Sequence, residues 1–298
     1  MYKIIFWNFI LIITFLTVCF LNINFLYSES GISIGAKNFT ESKIIAEIYA
    51  QAIEKSGYKV NRKLNLGGTL IAHESFKKGE IDLYPEYTGT AFINVLHHKP
   101  VSDPDTVFNV VSQEYKTKWN LIWLLPSQAN NSQGLVVNRE IAKKYNLYKI
   151  STLPSVANNL RMISIAEFEE REDGLKGLNK KYGEIKFKSI NMYDNGIKYS
   201  VLLKNKADIA ICGTTDARLM DKRFILLKDD KNFWPAYNVA PVMRQDILTK
   251  YPKLEIILNN ISKKLTGDIL QKLNADVDIK KQTYDEVAKG FLIKEGLI

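Results

Sequence analysis

Cysteine is nearly missing from this chain of 298 residues: there are two, Cys19 and Cys212. Cys19 falls inside an N-terminal apolar run, so Cys212 stands alone in the globular part. A single thiol cannot close an intramolecular disulfide, and the fold has to rely on its core. Histidine is equally scarce. His73, His97 and His98 have no cysteine or suitably spaced partner of the kind a zinc site uses, which argues against a metal centre. Arginine-rich stripes and recognition-helix motifs are also lacking. The net charge is +9, yet Lys43, Lys55, Lys59, Lys63, Lys77 and Lys78 alternate with Glu41, Glu47, Glu54, Glu74 and Glu80. That is the pattern of a solvated surface, and it speaks against nucleic acid as a partner. After the first 30 residues no run is long and apolar enough for a bilayer. No nucleophile–base pair is legible, and no cofactor is implied.

What is present is ordinary globular composition, 46% hydrophobic and 24% charged. The N-terminus is the sharpest compositional event. Lys3 precedes an apolar run from Ile4 to Leu26, and Tyr27-Ser28-Glu29-Ser30 closes it. This reads first as a secretory signal over 1–30, second as a retained membrane anchor, and third as a lipoprotein leader on Cys19. The segment Leu16-Thr17-Val18 fits the lipoprotein box poorly.

From Ile32 the patterns alternate. A strand at Ile32–Gly35 leads to a helix with Thr40 as N-cap and Ile44, Ile45, Ile48, Tyr49, Ala52 and Ile53 at helical spacing. A strand over Val60–Leu66 follows, then a helix from Thr69, then a strand over Ile81–Tyr84 that Pro85 is expected to stop. Beyond it lies Tyr87-Thr88-Gly89-Thr90, where Gly89 can take positive φ and bring backbone N–H groups close to a guest. Such a turn at the carboxyl end of a strand is where open α/β sheets bind small molecules. The pattern restarts after Gly134, with strands at 162–165, 185–190 and 207–212. The segments Ser127–Gly134 and Phe233–Val242 look like crossings between two lobes, and the C-terminal helices need a partner surface. The expected fold class is α/β: two lobes, each a mostly parallel sheet flanked by helices, joined by two hinge crossings around a cleft. Lobe I takes 31–132 and 237–298, and lobe II takes 133–236.

These residues carry a resemblance. Gly35-Ala36-Lys37-Asn38-Phe39-Thr40-Glu41, Gly67-Gly68-Thr69 and Asp82-Leu83-Tyr84-Pro85-Glu86-Tyr87-Thr88-Gly89-Thr90 resemble the substrate-binding proteins of osmoprotectant ABC importers, which capture glycine betaine, choline or carnitine. Glu167-Phe168, Arg171, Asp173-Gly174-Leu175, Thr215-Asp216 and Tyr237-Asn238-Val239-Ala240-Pro241-Val242 continue it in order. The resemblance implies a type II periplasmic-binding-protein fold without catalysis, exported beyond the cytoplasmic membrane. The partners it implies are a small quaternary amine and an ABC permease, and the protein is expected to be a monomer.

By the same resemblance, Lys37, Thr90 and Arg171 match carboxylate-binding positions. Tyr87 and Tyr237 match rings of a cage for the trimethylammonium, and Glu167 an acidic neighbour of that cation. Each ring is worth about 0.5–2 kcal/mol to such a cation. Gln133 and Gly213 stand where relatives present further tyrosines. Either Trp234, Tyr193 or Tyr199 refills the cage, or the glycine opens room for a bulkier betaine, such as carnitine or ergothioneine. Taken without the resemblance, Lys37 is a solvated lysine, Arg171 sits in a solvated charge run, Tyr87 and Tyr237 are half-buried core rings, and Glu167 is a helix-capping acid. Two other functions remain open: a cleft enzyme using Glu86 with Glu167, and a sensor lobe on a retained anchor.

Overall fold

The computed structural model describes residues 31–165, 168–193 and 197–298. Residues 1–30, read above as a signal, and Glu167 lie outside the described residues. Two five-stranded sheets organise the chain. The first is built from β1 (Ile32–Gly35), α1 (Thr40–Lys55), β2 (Val60–Lys63), α2 (Thr69–Lys77), β3 (Leu83–Tyr87), α3 (Pro104–Trp119) and β4 (Leu121–Trp123). The second contains β5 (Gln133–Asn138), α4 (Arg139–Tyr145), β6 (Arg161–Ser164), α5 (Leu175–Tyr182), β7 (Ser189–Met192), α6 (Lys198–Leu203), β8 (Ile209–Gly213) and β9 (Phe224–Leu226). The chain then returns to the first sheet as β10 (Val239–Arg244), and ends in α7 (Gln245–Lys250), α8 (Lys253–Lys264), α9 (Gly267–Asp278) and α10 (Tyr284–Lys294).

The strand orders are β2-β1-β3-β10-β4 and β7-β6-β8-β5-β9. Each sheet therefore holds four strands running one way and one antiparallel strand inserted next to the edge. Those inserted strands, β5 and β10, each continue directly from a crossing segment. The sheets are mostly parallel, as expected, and each is mixed by one reversed strand because the chain changes sheets through it. The two crossings run side by side: Asn130 bridges Asn238, and the Asn131 N–H donates to the Tyr237 carbonyl at 3.2 Å.

Pro85 does not stop β3, which continues to Tyr87 and faces Pro241 of β10. The carbonyls of Val239 and Pro241 point to the opposite side, accepting from Ser127 and Leu124. Pro85 and Pro241 thus form a non-hydrogen-bonded pair, and neither missing N–H is needed between them. This extension carries Glu86 and Tyr87 out to the sheet's end. Thr40 does not cap α1 either. Its hydroxyl donates to Asp278 Oδ1 at 2.7 Å, which ties the start of α1 to α9. At α10 the Thr283/Glu286 capping box is complete.

Sheet 1 buries both faces, since Leu83 packs with α1 while Tyr84 packs with Phe76 and Val107. In that second layer His73 is buried with neither ring nitrogen bonded, edge-on to Trp119 at 4.6 Å. Burial pushes its pKa down from 6.5 to about 4. The folded ring therefore stays neutral at pH values where the unfolded chain takes up a proton. Stability is expected to fall as pH drops from 6.5 towards 4. Thermal melts across that range should show a smaller loss for His73→Phe than for the wild type.

Candidate functional site

Three buried carboxylates, Glu86, Glu41 and Asp173, form two assemblies between the sheets, each with donors from several segments. The first assembly begins at β3. Glu86, fully buried, accepts from Lys37 Nζ at 2.6 Å, from the Tyr84 hydroxyl at 3.1 Å and from the Tyr87 N–H at 2.7 Å. Lys37 Nζ also stands 4.9 Å from the Tyr87 ring centroid and 5.7 Å from that of Phe39. One side of the Tyr87 ring is thus already covered by a cation of the protein itself. The Tyr87 hydroxyl donates to Glu41 Oε1 at 2.8 Å.

Glu41 collects three more donors. Asn131 Nδ2 lies at 2.8 Å, Thr215 Oγ1 at 2.6 Å and Asn274 Nδ2 at 2.8 Å. They come from the first crossing, the loop after β8 and α9. Burial raises the Glu41 pKa, and the four hydrogen bonds oppose that rise.

The second assembly centres on Asp173, which has no exposed surface. Arg171 grips it at 2.6 and 2.7 Å, a bidentate pair. Gln133 Nε2 donates to it at 3.0 Å and the Tyr237 hydroxyl donates as well. Trp234 Nε1 donates to the Asp173 carbonyl at 2.7 Å. The Tyr237 hydroxyl is held protonated, its pKa raised by burial and by the Asp173 charge.

The turn after β3 joins the two assemblies. Thr88 bonds the second crossing through both its N–H and its hydroxyl, pinning Asn238 and so placing Tyr237 over Gly89. A Cβ at Gly89 would stand 2.8 Å from the Tyr237 ring. Gly89 is not among the glycines with positive φ. This position needs a missing side chain because a ring lies on it, not because of an unusual backbone. Thr90, one residue on, is buried.

The structure thus brings Lys37, Tyr87, Thr90, Gln133, Arg171, Gly213 and Tyr237 to one region. Gly213 does not open a hole. It pairs with Gln133 across β8 and β5, and a Cβ there would meet Asn131 Oδ1 at 2.5 Å and Asp216 Oδ1 at 3.2 Å. Polar acceptors fill the place expected to be empty. Tyr199 is engaged with Asp216 at 2.8 Å and packs on Phe224, and Tyr193 is 37% exposed. Of the three candidate replacement rings, Trp234 and Tyr199 share partners with the site, Asp173 and Asp216.

Sequence reasoning missed Glu41, Asn131, Asp173 and Asp216. Glu41, Asp173 and Asp216 lie within quoted motifs, but an acid in a first turn, a charge run or a loop looks alike whether solvated or buried. A buried carboxylate declares itself only through donors distant in sequence, here up to 233 residues away.

Two α/β lobes, two adjacent crossings and a buried, polar interlobe site define a solute-binding clamp. The chain belongs to the family described as the substrate binding domain of ABC-type glycine betaine transport system, which residues 30–294 match. It is 34% identical over 272 residues to the carnitine transport binding protein OpuCC of Listeria monocytogenes, covering 90% of this chain and 88% of that one. It is 33% identical over 270 residues to the ergothioneine transport permease/ergothioneine binding protein EgtU of Helicobacter pylori. That match covers 90% of this chain, which spans about half (48%) of EgtU. A crystal structure of a glycine betaine/carnitine/choline ABC transporter superposes with a TM-score of 0.74 at 29% identity, covering 89% of this chain and 99% of that one.

Proposed function

We propose that this protein captures a quaternary-ammonium zwitterion between its lobes, outside the cytoplasmic membrane, and delivers it to an ABC permease. The observation that carries the reading is the meeting of Arg171 and Gln133 with Tyr237 above the Gly89–Thr90 turn. Arg171, Lys37 and Thr90 take the carboxylate, and the rings of Tyr87 and Tyr237 take the cation. Lys37 is already balanced by Glu86, and Arg171 by Asp173. A ligand with no net charge therefore enters without burying an uncompensated one. Glu167 belongs to this assignment as the acidic neighbour of the cation. The lobes divide at 132/133 and 236/237, residues 1–30 export the chain, and it works as a monomer. Among the described residues no helix is long and apolar enough to cross a membrane.

Calorimetry against glycine betaine, choline, carnitine and ergothioneine tests the reading. A betaine bearing a side chain is expected to bind tightest. Tightest binding of plain glycine betaine removes the size preference, and no binding of any removes the ligand class. Mass spectrometry after long incubation should return the ligand unchanged, whereas a converted product favours the enzyme. Gly89→Ala supplies a local check. Its methyl group must push the Tyr237 ring, and affinity is expected to drop about tenfold, as for a hydrogen bond lost between buried groups. Far-UV circular dichroism should be unchanged.

A further inference from the structure

Glu41 has nothing left for a ligand; it joins the two lobes. A carboxylate offers about four acceptor positions, and Glu41 fills them with Tyr87, Asn131, Thr215 and Asn274. Tyr87 and Asn274 stand on the lobe of the first sheet, Asn131 on the first crossing, and Thr215 in the loop after β8 of the second sheet. Glu41 itself lies in the first turn of α1, the helix end that favours an anion. The same loop is held from a second direction by α9. Asn274 Nδ2 also donates to the Thr215 carbonyl at 3.1 Å, and Gln271 Nε2 donates to the Asp216 carbonyl at 3.4 Å. The loop belongs to the second lobe, because β8 runs straight into it and the Thr214 N–H is held by the Ser132 carbonyl at 2.8 Å. Of the bonds that tie it to α1 and α9, the one from the Thr215 hydroxyl to Glu41 Oε2, at 2.6 Å, is made to a carboxylate. Glu41, Thr215 and Asn274 are all buried.

We infer that Glu41 and Thr215 form a latch that sets how readily the lobes part, and with it how slowly a captured solute leaves. A hinge rotation about the crossings carries the loop away from α1 and α9 and breaks the Glu41–Thr215 bond. That takes a charge-assisted hydrogen bond from a buried carboxylate, which opposes opening. Apparent affinity scales with the fraction of protein whose lobes are joined. The latch is built from protein groups, so it acts before any solute is bound. Its effect on solute release rests on the proposed capture; its effect on lobe separation does not. Glu41 is thus a positioning residue, and Asn274, with both amide hydrogens engaged in the latch, supports it.

Thr215→Val keeps the bulk of the side chain and removes the donor, whereas Thr215→Ser keeps the donor. Small-angle X-ray scattering without added solute should give Thr215→Val a larger radius of gyration than the wild type, and Thr215→Ser the wild-type value. With carnitine and glycine betaine as probes, stopped-flow tryptophan fluorescence should show release about tenfold faster from Thr215→Val, with association nearly unchanged, the scale of one hydrogen bond to a charged group. A purely structural role for Thr215 would lower the melting temperature and leave the radius and the release rate where they are. Equal radii for the wild type and Thr215→Val overturn the latch. So does release from Thr215→Val at the wild-type rate, or a Thr215→Ser variant that behaves as Thr215→Val. If neither probe binds the wild type, the proposed capture fails, and scattering still decides the latch.

Discussion

Arg171→Ala is expected to abolish useful ligand binding, weakening it by at least about 100-fold, the scale for truncating one side of a buried charged contact. Binding alone would not isolate the cause, because Asp173 is left behind. That carboxylate has no exposed surface, and Arg171 is its ion-pair partner. Stranding a buried charge costs about 3–5 kcal/mol. In a chain of this size that is a fall in melting temperature of roughly 10 °C. Arg171→Ala with Asp173→Asn separates the two effects. The amide still accepts from Tyr237 but carries no charge, so most of the lost stability should return. Affinity should not return, because the donor to the ligand carboxylate is still missing. Thermal melts and calorimetry on the single and double variants decide it. Recovery of binding along with stability would mean that Arg171 serves only Asp173.

The alternation of strands and helices was legible because each element carries its own period. The helix over Ile44–Ile53 is local in this sense, and so is the strand–turn unit around Tyr87. The register of β3 was not legible. Pro85 looks like a stop until its opposite residue is known to be another proline, 156 positions later in the chain. The site divides in the same way. Motif residues such as Lys37 and Tyr237 were found as positions, but their hydrogen-bond partners were not. The pairing of Lys37 with Glu86 joins residues 49 apart in sequence, and that of Tyr237 with Asp173 joins residues 64 apart. Gly213 misled for a related reason. A glycine in sequence means space only when no neighbour reaches into it, and Asn131 reaches into it from the crossing.

The Lys37–Glu86 pair should show unequal costs for its two halves. In Lys37→Met, Glu86 keeps two neutral donors, the Tyr84 hydroxyl and the Tyr87 N–H, but loses its counter-ion. In Glu86→Gln, the Lys37 ammonium keeps the Tyr87 and Phe39 rings beside it. Those rings return about 0.5–2 kcal/mol to a cation, against a cost of about 3–5 kcal/mol for breaking a buried pair. Lys37→Met is therefore expected to lower the melting temperature more, by about 10 °C, and Glu86→Gln by roughly half as much. Joining the two substitutions removes both charges and should bring stability back close to the wild type, since neutral replacement of a buried pair is often harmless. Ligand affinity separates structure from function here as well. Lys37 spends one N–H on Glu86 and has two left for a carboxylate. The double variant should then fold well and bind a betaine weakly. A double variant that binds like the wild type would confine Lys37 to holding Glu86 in place.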